Sequence, residues 1–480
     1  MMALILRGVQ LWNGRVVDVR LRQGRIAALQ ASLSPEAGEE VIAAAGKLLL
    51  PGLWDHHLHL LGTAAARSSV TCGPPSVTSE QELEQALRLA VNPGGHWLRG
   101  VGYHESVCEH LDRRWLDNVC PSVPVRIQHR SGMLWVLNSR ALELCGITDT
   151  DDLPDGAGCD SDGHPDGRFY NLDRWLGERL PRQLPDVRSL SAELASYGVV
   201  GVTDTGVNNT RETLKLLQQL SDSGELLQKV WMMGSEDLHG VLSGHEQVRP
   251  GPLKIYLREI DLPDFEQLVA QMQRAHQHLR AVAIHCVTLA ELHFALAALA
   301  EAGSLEGDRI EHASIADDAA IERMQELGVT VVSQPHFIAE RGVQYLQDVA
   351  ADEQPLLYRA QSFYHQKVAF AAGSDAPYGD VNPWQAMAAA VSRRNHDGVV
   401  MGAEECLTVE QALAAYCGNP ALPGSGMRLP AVGQAADLCL LNGDKAAVLH
   451  DPAAVSVALT LCAGQVIYRA PNFQQNGLSE

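Results

Sequence analysis

The sequence predicts an α/β protein: a (β/α)8 TIM-like barrel with a small β-sandwich formed by both chain ends and an inserted subdomain after the first barrel strand. Three observations predict it. From Gly198 onward, short apolar strands alternate with helix-patterned segments in a regular beat. Ahead of that beat stands LLLPGLWDHHLHL (48–60), an apolar run that ends in histidines. The two ends of the chain consist of short alternating apolar blocks broken by turn residues, the pattern of strands and hairpins.

The beat supplies strands at 198–206, 226–234, 252–257, 281–286, 308–314, 330–337 and 368–377, and the opening run brings the number to eight. Leu262–Leu279, Leu289–Ala302 and Ala316–Leu327 carry helical spacing between them. A doubly wound open sheet is the competing arrangement, but no GxGxxG turn follows the first strand. Residues 51–405 therefore read as the barrel, with an insertion at about 61–190. That insertion is punctuated by Gly and Pro. It contains a helix at 79–90, announced by Ser79 and Glu82 at capping-box spacing, and strands at 97–102 and 123–129. Its segment 153–167, LPDGAGCDSDGHPDG, reads as a loop. Residues 1–50 hold three or four strands, 406–428 a terminal helix and connection, and 429–480 the strands that complete the sandwich, the last near 456–468.

Composition excludes several classes of function. The 480 residues are 46% hydrophobic and 20% charged, a globular profile, and no apolar run reaches the length that spans a bilayer. A formal net charge of −21 without a basic cluster argues against a nucleic-acid partner, because neutralising phosphates requires grouped Lys and Arg. The ten cysteines are scattered and form no CxxC, so they read as free thiols. The first thirty residues pattern as strands and not as a signal peptide, and a cytoplasmic protein is expected.

Chemistry is expected at the carboxyl ends of the barrel strands. His57 and His59 are two apart at the end of the first strand and share a face. His285 ends the fifth strand, His312 the sixth, and Asp375 the eighth. In the fourth, Leu253, Ile255 and Leu257 share one face, with Lys254 and Tyr256 on the other. An inward lysine needs a partner or a modification, because a buried ammonium is costly. Neutral imidazoles with a carboxylate suit a metal of the zinc type. Taken singly, a barrel-strand histidine is more often hydrogen-bonded scaffold than ligand.

The order of these residues resembles the amidohydrolase superfamily, and most closely its third amidohydrolase family, the branch that includes N-substituted formamide deformylases. The resemblance rests on PGLWDHHLH (51–59), LKIYL with Lys254, AIHC, RIEHAS and AGSDAPYG (372–379), with Val123–Leu142 similar to the family's insertion. It covers nearly the whole chain. It implies two divalent metal ions, Zn2+ in most relatives, with His57, His59 and Asp375 on the more buried ion and His285 and His312 on the more exposed one. A carboxylated Lys254 would bridge them. Asp375 would be the catalytic residue, taking a proton from the attacking metal-activated hydroxide and passing it to the leaving amine. The implied activity is hydrolysis of a non-peptide C–N bond, an amide or cyclic amide, in a small molecule. A homodimer is a further expectation from the family.

The chain departs from the family pattern at three places. Gly132 is followed by Met133 where the family carries Gly-His, Arg258 and Glu259 replace the Asp-Gly-Ser that follows the strand-four lysine, and Thr288 stands where mononuclear deaminases carry Glu. The last argues against such a deaminase. In the insertion, His104, His129, Arg130, His164 and Arg168 are candidates for binding a substrate carboxylate or carbonyl, or else solvated loop residues. His336, near the end of the seventh strand, is a substrate contact or a packing histidine. Trp54 and Asp55 read as scaffold, the latter orienting the imidazoles, while Asp204 reads as similar support or a helix cap. His56 points away from both ligands and should be dispensable for metal binding. The competing functions are an esterase, lactonase or phosphotriesterase using the same centre, and a non-catalytic scaffold.

Overall fold

Eight short apolar segments, each too brief to bury itself alone, pair side by side in parallel. They are β1 (Leu53–Leu58), β2 (Val199–Asp204), β3 (Lys229–Gly234), β4 (Val248–Tyr256), β5 (Val282–Cys286), β6 (Arg309–His312), β7 (Thr330–Ser333) and β8 (Ala369–Ala372). The computed structural model describes residues 3–74, 76–91, 97–148, 153–180 and 184–473. They fall into two units, Met1–Leu60 with Val187–Glu480, and Leu61–Asp186.

In the first unit the ring of strands closes just beyond β8. Leu58 bridges Ala376, the Asp375 amide donates to the His57 carbonyl at 2.7 Å, and the His59 amide donates to the Ala376 carbonyl at 2.9 Å. Gly373 permits this approach, since a Cβ there would meet the His57 amide nitrogen at 2.4 Å. Helices cover the outside for local reasons. Leu289–Ala302 starts at a capping box of Thr288 and Glu291 and buries Leu292, Ala295, Leu296 and Leu299 on one stripe. Asp318–Leu327 is capped by Asp317 and stopped by left-handed Gly328. After β3 only a short 3-10 turn, Glu236–Leu238, precedes β4.

Both chain ends contribute to two four-stranded sheets. One holds Leu4–Gln10, Val16–Arg22, Arg25–Gln30 and Glu40–Ala43, and the other Leu49–Pro51, Leu438–Leu441, Val457–Cys462 and Gln465–Arg469. Leu6, Val19 and Ile42 from the first share one buried cluster with Leu440, Leu459 and Leu461 from the second, which makes the pair a sandwich. The expected single last strand is a hairpin of two.

The second unit is a six-stranded sheet flanked by helices, among them Glu80–Ala90, whose Ser79 cap accepts from the Glu82 amide and whose Leu83 and Leu87 are buried. The expected loop at 153–167 is a correction. It contains the strand Ala157–Cys159 and runs into Pro165–Tyr170, with Ala157 opposite Phe169 and Cys159 opposite Pro165. Asp160 tightens the turn by accepting from the amides of Asp162 and His164, and the density of turn residues concealed the two strands beside it. All ten cysteines are free thiols. Among the described residues no helix is long and apolar enough to cross a membrane.

Candidate metal centre

Strand alternation sets His57 and His59 on one side of β1, with ring centroids 5.7 Å apart. The closure of the barrel brings Asp375 to them. Its carboxylate Oδ1 lies 3.3 Å from His57 Nε2 and 3.4 Å from His59 Nε2, and one ligand atom from each residue lies within 4.8 Å of the others. A tetrahedral ion with ligands at about 2.0–2.1 Å spaces its ligand atoms by about 3.3–3.4 Å, so the three donors fit a zinc-type ion. Asp375 and His312 both hold left-handed backbone, φ 52° and 69°, conformations that L residues keep only where the surroundings over-determine them.

The remaining candidates continue the cluster. The His312 ring stands 4.6 Å from His57 and 4.5 Å from His285, because Cys286 at the end of β5 pairs with His312 on β6. Lys254 is buried, and its Nζ has no hydrogen-bond partner among the described residues. Burial lowers the lysine pKa against the pull of Glu311 and Asp375. An amine in this position is pushed toward its neutral form. Burial also drives the His285 pKa well below the ordinary value and the His312 pKa to about 3, keeping both imidazoles neutral as a metal requires. Asp375 stays ionised for the opposite reason: burial opposes its charge, but His57 and His59 beside it hold its pKa well below the usual range.

A model of the amidohydrolase family matches residues 40–468. The chain belongs to this family. Among its relatives, the amidohydrolase is 25% identical over 488 residues to the putative amidohydrolase YtcJ of Bacillus subtilis, covering 91% of each chain. It is 27% identical over 505 residues to the N-substituted formamide deformylase of Arthrobacter pascens, covering 90% of this chain and 92% of the relative. In fold it is similar to an uncharacterized metal-dependent hydrolase from Pyrococcus horikoshii, with a TM-score of 0.74, 20% identity and coverage of 95% and 99%.

Two further buried residues, which no sequence pattern singled out as ligands, stand behind the histidines. Glu311, fully buried, accepts from His57 Nδ1–H and from the Nε and Nη2 of Arg309. Gln334 accepts from His312 Nδ1–H through Oε1 at 2.8 Å. Each carbonyl or carboxylate oxygen fixes its histidine in the tautomer whose Nε2 carries the lone pair. A signal for Glu311 was present in RIEHAS: Arg309 and Glu311 share one face of a strand flanked by apolar segments, and charges that cannot reach water must pair. No comparable pattern marks Gln334.

Asp55 does not orient an imidazole. Its Oδ1 accepts from the His57 and Ser374 amides and so ties β1 to the turn that carries Asp375. Trp54 Nε1 donates to Thr203 Oγ1 within the wall. Asp204 takes the cap role, accepting from the Leu60 amide at the start of the helix Leu60–Arg67, and it also accepts from Asn209 Nδ2. His336 is buried and donates from Nε2 to the Ser374 carbonyl at 3.2 Å, beside the same turn.

The insertion candidates all lie in the second unit. There His104 and His129 stack at 5.8 Å and 29°, and His129 Nε2 bonds Glu105 Oε2 at 2.9 Å. The Nδ1 of each ring accepts a backbone amide, from Ser106 and Ser131, which places the ring proton on Nε2 toward Glu105. His104 Nε2 lies 3.7 Å from Glu105 Oε1, and one ligand atom from each of the three residues lies within 4.8 Å of the others. Arg130 and His164 are exposed, and Arg168 Nε donates to the Leu111 carbonyl at 3.1 Å.

His56 is buried among Arg309, Glu311 and Arg428, with no partner on either ring nitrogen among the described residues, and burial lowers its pKa to about 3. Replacing an unsatisfied polar side chain by an apolar one of similar size is nearly neutral or stabilising. His56→Leu is expected to keep wild-type metal content and to change stability by no more than about 1 kcal/mol, as measured by metal analysis and denaturant melts. Loss of metal would place His56 in the centre after all.

Proposed function

We propose that this amidohydrolase hydrolyses a non-peptide C–N bond, an amide or cyclic amide, of a small molecule at a centre of two zinc ions. His57, His59 and Asp375 would hold one ion and His285 and His312 the other, with Lys254 as a carbamate between them. Lys254 carries this reading. A buried amine with no hydrogen-bond partner is an expense the fold would not keep unless something else completed it. Its lowered pKa favours the neutral amine, the form that adds to CO2 with loss of one proton. The resulting anion suits two cations as the bare ammonium does not.

When bound, two divalent ions polarise a carbonyl and acidify the attacking water. The chain's own part falls to Asp375. Its carboxylate, held ionised by the surrounding histidines, takes a proton from the water as the new C–O bond forms. It then delivers that proton to the nitrogen as the C–N bond breaks. Glu311 and Gln334 keep His57 and His312 from turning during these steps. The likeness to an N-substituted formamide deformylase supports a C–N bond as the target.

Purified protein is expected to carry about two zinc-like ions per chain, and Lys254→Ala about one. Metal analysis of both, with intact mass of the native protein to detect the added CO2, checks this. A fully active enzyme without metal would sink the reading. The bond is decided by turnover of matched pairs that differ only in amide or ester linkage, together with lactones and phosphotriesters. Cleavage of the esters alone would move the enzyme to the second class.

A further inference from the structure

The metal centre is the middle of a continuous arc of rings. Tyr256 lies over His285 at 4.3 Å, and His285, His312, His57 and His59 follow in sequence. Tyr378 closes the far end, edge-on to His59 at 5.7 Å and 88°. The pairing of Tyr256 with His285 across β4 and β5, and the hydrogen bond from the Tyr378 amide to the Asp375 carbonyl at 2.8 Å, fix both tyrosines to the centre. The middle of the arc is buried, whereas its ends are open, Tyr256 at 51% exposure and Tyr378 at 40%. Two large aromatic faces at the open ends of a buried polar cluster are the groups a substrate meets first.

The neighbouring loop residues add apolar surface, and the exposed Glu259 and Asp380 among them are acidic. Ile260, after β4, is 83% exposed, and Val287, after β5, is 39% exposed. The cations beside the two tyrosines are engaged. Arg258 pairs with Asp261 at 3.4 Å, and Arg341 donates to the Tyr378 carbonyl while its guanidinium stacks on Phe337 at 3.9 Å.

We infer that Tyr256 and Tyr378 are specificity-determining walls, and that the group borne next to the scissile bond is an uncharged aryl or arylalkyl substituent. This rests on the metal-centre reading. Aromatic contacts on two sides favour such a group through burial and ring-to-ring geometry, and among the described residues the two arginines beside these tyrosines are already engaged, which disfavours a carboxylate.

The test is equilibrium binding by calorimetry of three hydroxamates to the zinc-loaded enzyme: acetohydroxamate, phenylacetohydroxamate and succinic monohydroxamate. Phenylacetohydroxamate is expected to bind about tenfold or more tightly than acetohydroxamate. That ratio should fall toward unity in Tyr256→Ala and Tyr378→Ala and be restored in Tyr256→Phe and Tyr378→Phe, with circular dichroism confirming the fold. Equal binding of the first two probes, a ratio unmoved by the alanine variants, or tightest binding of the succinic probe would each overturn the inference while leaving the metal centre standing. Failure of all three to bind zinc-loaded enzyme would overturn the metal-centre reading and the inference with it.

Discussion

Replacing Asp375 by Asn is expected to lower kcat by on the order of 10²–10⁴-fold, the range general acid–base groups contribute, while the protein stays folded. The substitution keeps size and shape, so the turn built on the Asp375 amide and the His57 carbonyl survives. What it removes is a charge. The carboxylate is held ionised in a buried site by His57 and His59, which is the state that accepts a proton. An amide accepts none at neutral pH and has none of the right acidity to return. The substitution also weakens one donor of the group formed with His57 and His59, so metal content must be measured alongside the rate. A variant that retains its metal and its circular dichroism but loses turnover isolates the proton transfer. Near-normal rates in a metal-replete variant would remove Asp375 from that role and point to a group outside the arc of histidines.

The barrel and six candidate ligands were legible because both follow from short-range rules. Period-two alternation places His57 and His59 on one face, and strand ends in a barrel converge on one rim whatever the intervening sequence. Lys254 stood out because a charge inside an apolar strand contradicts its surroundings. What was not legible depends on contacts between strands distant in sequence. Glu311 meets His57 across 254 positions, and nothing local to either residue specifies that meeting. Asp55 looked like an imidazole partner because it is near His57 in sequence, yet a residue two positions along a strand offers its backbone more readily than its ring. The hairpin at 157–170 was hidden by the same Asp and Gly residues that make its turn. Tyr378 lies in a turn beyond β8, where no periodicity assigns a direction to a side chain.

Glu311→Gln is expected to weaken zinc binding by about 10–100-fold, the usual effect of losing a carboxylate behind a metal-binding imidazole. Glu311 does two things at once, and the substitution separates them. Toward His57, a glutamine oxygen can still accept from Nδ1–H. Toward Arg309, its NH2 group faces a guanidinium that also only donates, and Arg309 is buried at 2% exposure. Leaving one member of a buried ion pair unpaired costs about 3–5 kcal/mol, so the variant should also melt earlier. Arg309 Nη2 donates to the His56 carbonyl at 2.6 Å, so a guanidinium that turns in search of an acceptor disturbs β1 next to His57. The pH dependence has a definite sign. Burial opposes the Glu311 charge, but the Arg309 guanidinium and the hydrogen bond from His57 hold its pKa well below the ordinary 4.5. A depressed carboxylate contributes stability that is present above the unfolded value and lost as pH falls through the folded one. The stability gap between wild type and Glu311→Gln should therefore be full at neutral pH and narrow only below about pH 4.5. Denaturant melts across pH read the ion pair, and competition with a zinc chelator at pH 7 reads the hold on His57. Wild-type zinc affinity in a destabilised variant would confine Glu311 to the ion pair and leave the orientation of His57 to its packing against His312.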